Sequence, residues 1–169
     1  MKTKFTIKKH DGPGRLTKIN KTETPNTINL KKYHISPNQE TPYNIEKEIA
    51  EENIKQTIKN ATQDKKHEIG VIQGGKYIDL RCKCAKKLEE IGYKYLIIAN
   101  SDELLLHPQD LIETIIKIRK TLKPTTYLIF PFAEPTFIPL LSYLGIDFFS
   151  KETGAYYATL NILMTPTKN

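Results

Sequence analysis

The chain has 169 residues, 38% of them hydrophobic, a formal net charge of +7 and only two cysteines. That is the size of one domain with one core, and no stretch approaches the roughly 18 consecutive apolar residues of a membrane span. The opening Met-Lys-Thr-Lys-Phe has no apolar segment of the signal-peptide kind, so a cytoplasmic chain with reduced thiols is the expectation.

The charge is unevenly placed. Met1 to Ile35 carries nine Lys or Arg against two acids, Asp11 and Glu23; the remainder, with 17 of the 26 basic and 17 of the 19 acidic residues, sums to zero. The excess lies in the first fifth of the chain and includes Lys8, Lys9, Arg15, Lys18, Lys21, Lys31 and Lys32. A basic arm that contacts a polyanion such as RNA fits this pattern, and so does an ordinary solvated terminus.

In chain order, residues 1–42 are polar and punctuated by Gly12-Pro13-Gly14, Thr24-Pro25, Ser36-Pro37 and Thr41-Pro42, which break helices and make turns. Short strands fit Lys4 to Lys9, Arg15 to Asn20 and Asn26 to Leu30, giving a small antiparallel element and then an irregular link. Residues 43–169 are regular. Thr41 is placed to cap a helix with Pro42 at its first position, and Ile45, Ile49, Ile54 and Ile58 follow near helical spacing. A strand, Glu68 to Gln73, ends at Gly74-Gly75. Leu80, Cys84, Leu88 and Ile91 mark a helix that Gly92 closes. Lys94 to Ala99 is an apolar strand. Pro108 opens a helix with Leu111, Ile115, Ile118 and Leu122 on one face, stopped at Lys123-Pro124. Tyr127 to Phe132 is a strand, a short helix runs from Glu134-Pro135 to Leu144, and Ile146 to Phe149 is a fourth strand after Gly145.

This α-β-α-β-α-β-α-β order, with apolar and non-alternating strands, predicts an α/β protein with a parallel sheet buried on both faces. A complete eight-fold barrel needs about 250 residues. Four βα units leave three options: an open sheet, a partial barrel whose edges the N-terminal strands cover, or a half-barrel completed by a partner. Unpaired edges favour the last two.

Ligands of parallel α/β folds bind at the carboxyl ends of the strands. Those ends are Gln73-Gly74-Gly75, Asn100-Ser101-Asp102, Ala133-Glu134 and Ser150-Lys151, expected to converge on one rim. Gln73 offers a donor and an acceptor to a base edge, and Gly74 and Gly75 allow close backbone approach. A tight turn, with Asp79 and Arg81 in a surface ion pair, is the plainer alternative. Asp102 and Glu103 form a carboxylate pair that can act as acid and base or simply favour a helix dipole. Ser150 is a nucleophile only with a base in reach; His107 and Lys151 are the candidates, and nothing in the sequence places His107 there. His10, His34 and His67 fit solvated positions. Asp147, in a buried strand, is expected to be hydrogen-bonded and structural. Cys82 and Cys84, two apart on a predicted helix, point about 200° away from each other. With no third ligand they make neither a bridge nor a metal site, and no cofactor is expected.

Asp147-Phe-Phe-Ser150, the following Lys-Glu-Thr-Gly-Ala-Tyr-Tyr-Ala158 and Met164-Thr-Pro166 resemble the nucleophile strand of archaeal-type tRNA-guanine transglycosylases. That strand runs Gly-hydrophobic-Asp-hydrophobic-Phe-Asp-Ser, then a stretch ending Tyr-Ala, then Met-Thr or Leu-Thr-Pro. Gln73-Gly-Gly-Lys-Tyr-Ile-Asp-Leu-Arg81 is similar to the family's Val-Gln-Gly-Gly-x-Tyr-x-Asp-Leu-Arg, whose glutamine reads the guanine or deazaguanine edge. Phe5 to Arg15 and Thr24-Pro25 resemble the family's N-terminal strands. The resemblance implies a partial TIM-barrel-like fold and a role in tRNA modification.

The same comparison marks what is missing. The attacking aspartate of the family is Ser150 here, and a serine without a base does not easily replace a carboxylate. Asn100 to Glu103 stands where the family has a glycine-rich loop that closes over the base. About fifteen residues, Asn29 to Tyr43, replace the part of the barrel carrying the acid/base aspartate. Cys82-Lys83-Cys84 matches only the first two ligands of the family's zinc site. The chain is therefore expected to be a catalytically inactive relative, closest to the transglycosylase-like domain of archaeosine synthase, acting as an RNA-binding or partner subunit. Its expected partners are tRNA and a second protein or further copies of itself, with the remaining domain on a separate polypeptide. A small enzyme with residual base exchange, using Asp102, Glu103 or Asp147, and a structural oligomerisation subunit are the rivals.

Overall fold

The computed structural model describes residues 5–161. The predicted strand start at Lys4 and the Met164-Thr-Pro166 motif lie outside them. β1 (Phe5–Asp11), β2 (Gly14–Ile19) and β3 (Thr22–Thr24) form an antiparallel sheet in that order. Gly12, at a φ of +55°, supplies the turn between the first two.

β4 (Asn26–Ile28), β5 (Ile69–Ile72), β6 (Tyr95–Ile98), β7 (Tyr127–Phe130) and β8 (Phe148–Ser150) form a parallel sheet ordered β4-β8-β7-β6-β5. The connecting helices are α1 (Lys47–Gln63), α2 (Ile78–Ile91), α3 (Ser101–Leu105), α4 (Pro108–Thr121), α5 (Ile138–Leu144) and α6 (Glu152–Thr159). A parallel sheet, its connecting helices α1, α2, α4 and α5, and a small antiparallel sheet are those expected from the sequence; the strand at Asn26, expected in the antiparallel element, instead pairs in parallel with β8 as a fifth strand, and β3 (Thr22–Thr24) takes its place. Among the described residues no helix is long and apolar enough to cross a membrane.

Other differences lie at boundaries. α1 starts at Lys47, not Pro42. Thr41 is buried and its hydroxyl donates to the Gln39 carbonyl at 3.3 Å rather than capping a helix. Residues 41–45 are instead bonded to the rim: Lys76 N donates to Tyr43 O at 3.0 Å, Tyr77 Oη to Ile45 O at 2.8 Å and Asn100 Nδ2 to Thr41 O at 3.2 Å. Tertiary hydrogen bonds have overridden a local capping signal. α5 begins at Ile138 rather than Pro135, and β8 runs two residues later than expected at its start. The short elements β3, α3 and α6, and a 3₁₀ turn at Leu30–Lys32, carried no periodic signal of their own.

The four parallel strands β5 to β8 bury both faces, while β4 at the edge exposes Asn26 and Thr27. Ile72, Leu96, Ile98, Leu128, Phe130 and Phe149 pack under the helices. Ile69, Val71, Ile97, Tyr127, Ile129 and Phe148 alternate with them and form an inner-face core with Ile19 and Ile28. The period of two along each strand assigns the faces; apolar residues on both explain why no alternation is visible in the sequence.

The edges are closed by one short segment. β4 pairs with β8 at one edge, with Asn26 N donating to Asp147 O at 3.0 Å and Lys151 N to Ile28 O at 2.9 Å. At the other edge Ile35 bridges Ile69 in parallel, with Ser36 N donating to Ile69 O at 2.8 Å and Ile69 N to His34 O at 3.2 Å. A flat sheet with these edges would be about 24 Å wide. The link from Ile28 to Ile35, three of whose residues are in the compact 3₁₀ turn, reaches only about 20 Å. The sheet must therefore curl. Of the three options left by the sequence, the described residues adopt the partial barrel with N-terminal cover.

Candidate functional site

The loops after β5 and β6 meet through Arg81. This fully buried guanidinium donates from Nε to Gly75 O at 2.6 Å, from Nη1 to Ala99 O at 2.8 Å and from Nη2 to Asn100 Oδ1 at 3.1 Å. Burial pulls its pKa down to about 10. Arg81 is thus not in a surface ion pair with Asp79; Asp79 pairs with Lys47 at 2.7 Å instead. Gly74 and Gly75 have φ of +147° and +57°. A Cβ at Gly74 would lie 2.8 Å from Arg81 N, and one at Gly75 would lie 2.9 Å from Pro42 O. The glycines make room for Arg81 and the link.

Gln73 directly follows β5 and is 3% exposed. Its Nε2 donates to Asn38 Oδ1 at 2.7 Å. Its Oε1 is buried without a hydrogen-bond partner among the described residues. An unsatisfied buried acceptor is costly, and here it lines a cleft of about 340 Å³ with Asn38, Thr41 and Asn100. Asn100 adopts the left-handed conformation (φ 52°, ψ 37°), which glycine favours and asparagine tolerates. Asp102 and Glu103 are exposed in the first turn of α3, a position the helix dipole favours.

Ser150 ends β8, and its hydroxyl donates to Glu152 Oε2 at 2.5 Å while accepting from Glu152 N at 3.1 Å. The carboxylate beside Ser150 is therefore Glu152, two residues on, rather than His107 or Lys151. His107 stacks on Tyr43 with ring centroids 5.1 Å apart. Burial works to raise the Glu152 pKa, but the Ser150 hydroxyl and the backbone N–H groups of Glu152, Leu30 and Lys31 outweigh it and hold the carboxyl below its ordinary value. A base so depressed is poorly matched to removing a hydroxyl proton.

Asp147 is away from the rim, at the amino end of β8. It accepts from Arg15 Nε at 2.8 Å and Nη2 at 2.9 Å, from Arg119 Nη1 at 3.3 Å and from Leu128 N at 2.9 Å. Its structural role agrees with the sequence reading. Arg15 does not: it was grouped with the phosphate-contacting cations, yet its side chain is 7% exposed and also bonds Thr126 O at 2.9 Å and Pro124 O. Two guanidiniums share one carboxylate: Arg15 fastens the β1–β2 hairpin to the amino ends of β7 and β8, and Arg119 ties α4 to the same point. The other cations are placed as follows. Lys8 pairs with Glu23, Lys9, Lys18 and Lys31 are exposed, and Lys21 and Lys32 line a separate cavity.

Sequence reasoning missed Asn38, Glu152 and Arg119. Ser150-Lys-Glu152 at a helix start was a local signal for Glu152, and Arg119 stands on the apolar face of α4, four residues after Ile115. Asn38 left no signal, because its meeting with Gln73 is made across the link. Cys84 is buried and Cys82 half-buried, both as free thiols. Among the described residues no three His, Cys, Asp or Glu are grouped to hold a metal.

A parallel α/β sheet curled toward a barrel, with an amide-lined cleft at the carboxyl ends of its strands, is a TIM-barrel-like protein with a rim site. The chain belongs to the transglycosylase family of tRNA modification: residues 29–169 match the family model described as queuine tRNA-ribosyltransferase. It is 31% identical over 131 residues to the tRNA-guanine(15) transglycosylase of Methanocaldococcus jannaschii, covering 70% of this chain and 20% of that protein. The like-named protein of Methanococcus aeolicus is 32% identical over 130 residues, covering 69% and 20%. That of Pyrococcus furiosus is 27% identical over 133 residues, covering 75% and 23%. The chain thus spans about a fifth of the length of the curated relatives it matches.

Proposed function

We propose that this chain serves archaeal tRNA modification, in the archaeosine pathway, as a non-exchanging transglycosylase-like subunit that binds RNA or a catalytic partner in the cytoplasm. The observation that carries the reading is position 150. A hydroxyl stands there where the resemblance calls for a carboxylate, and the Glu152 carboxylate beside it is held by hydrogen bonds in a weakly basic state. Covalent capture of a sugar needs an activated nucleophile, and this pair supplies none.

Base recognition is the part retained. The unpartnered Gln73 Oε1 in its cleft suits an N–H donor on a purine edge. Phe132 and Tyr156, an exposed ring pair with centroids 6.1 Å apart, offer a protein partner an aromatic contact near the carboxyl end of β7.

Two measurements test the proposal. Labelled guanine is offered to tRNA with the chain alone, and no incorporation is expected; exchange would overturn the non-exchanging reading. tRNA is titrated at about 50 mM and about 200 mM salt, with and without a full-length archaeal transglycosylase. Affinity is expected to fall steeply with salt, and absence of tRNA binding at low salt in both arms would defeat the RNA role.

A further inference from the structure

A second cavity, of about 620 Å³, lies where the link crosses the sheet. It shares no lining residue with the Gln73 cleft. Its floor is aromatic and fixed. Tyr95 and Phe148 come from the inner face, and Tyr95 stacks on Tyr127 with centroids 5.2 Å apart. Phe148 packs against both rings at 6.0 and 6.1 Å. Its side is Tyr33, 47% exposed and in no ring pair among the described residues.

The rim is cationic. Lys21 comes from the β2–β3 turn, Lys32 from the 3₁₀ turn and Lys151 from the loop after β8. All three are exposed, and none has an ion-pair partner among the described residues. Three unpaired ammonium groups from three separate chain segments around one aromatic-floored cavity make a site for an anion attached to a flat ring.

We infer that this cavity binds a nucleotide unit, its base against Tyr33 and its phosphate among Lys21, Lys32 and Lys151. The volume lies in the range of small-ligand sites. An apolar ligand would leave the lysines unmatched, and bare phosphate would leave the aromatic wall unused. Stacking on an aromatic face with a cationic track for the backbone is how unpaired nucleotides are held. The unit is either a free nucleotide or one residue of a single strand. The inference stands independently of the Gln73 cleft and of the missing exchange chemistry.

Calorimetric titration of the full chain at about 50 mM salt tests it, with GMP, AMP, a single-stranded octaribonucleotide, inorganic phosphate and polyglutamate as probes. Binding of the mononucleotides assigns a free nucleotide, and binding of the octamer alone assigns a strand; both support the site. Tyr33→Ala is expected to weaken binding about 10-fold or more, Tyr33→Phe to retain it, and Lys32→Glu to weaken it with a shallower salt dependence. Neither nucleotide nor octamer binding, polyglutamate or phosphate binding in their place, or affinity unchanged in both Tyr33→Ala and Lys32→Glu would overturn the assignment. An unshifted urea midpoint in Tyr33→Phe keeps loss of fold separate from loss of the site.

Discussion

Asp147 and Arg15 lie 132 residues apart and meet through two hydrogen bonds in parallel, of 2.8 and 2.9 Å. Breaking such a buried pair leaves a desolvated charge behind, at a cost of about 3–5 kcal/mol. Arg15→Ala is expected to lose that much in a urea titration, eased to the extent that Arg119 still faces Asp147. Arg15→Lys keeps the charge but not the planar fork, so its midpoint is expected between those of Arg15→Ala and the unaltered chain. Equal midpoints for all three would remove the pair from the anchoring of the hairpin. The Asp147 half of this contact was legible, because an acid in an apolar strand must find partners. The Arg15 half was not, since a cation in a basic segment gives no sign of a partner so far along the chain.

At the scale of elements, the link between β4 and α1 decides the architecture. Ser36 N–H to Ile69 O is one of two backbone bonds that close the β5 edge. Ser36→Pro removes that donor while leaving the extended backbone accessible. It is expected to cost about 1–3 kcal/mol and to raise light scattering on heating, as an unpaired edge becomes available to other chains. An unchanged midpoint with no added scattering would show that the edge is closed by something else. The helices and strands joined by this link were legible from their apolar spacing. The start of α1 was not: Thr41-Pro42 is a capping pair by sequence, and its groups are taken by the Gln39 carbonyl and by Asn100.

For the whole molecule, acid should be the weak side. Burial works to raise Asp64, Glu89 and Glu152, and hydrogen-bond donors outweigh it in each. Asp64 is held by Lys66 N–H, Tyr93 and His34; Glu89 by the Thr126 hydroxyl, Lys123 N–H and Lys86. A carboxyl whose folded pKa lies below its unfolded one stabilises the fold above the unfolded pKa, and that contribution is lost as pH falls through the folded pKa. The melting temperature is therefore expected to hold near neutrality and to fall once pH drops below the ordinary values of 3.8 for Asp and 4.5 for Glu. Glu89→Gln should narrow the difference between pH 7 and pH 3. If that difference is as large in the variant, Glu89 takes no part in it.

The sequence by itself determined the parallel α/β plan, the family and the serine that stands at position 150. All are properties of local spacing or of single positions, which the chain carries before it folds. Only the tertiary structure decided that one short link seals both sheet edges, that Asn38 occupies the donor of Gln73, that Glu152 is the neighbour of Ser150, and that Lys21, Lys32 and Lys151 surround a common cavity. Those pairings depend on which distant segments the curl of the sheet brings within a few ångströms, and no periodicity along the chain encodes that distance.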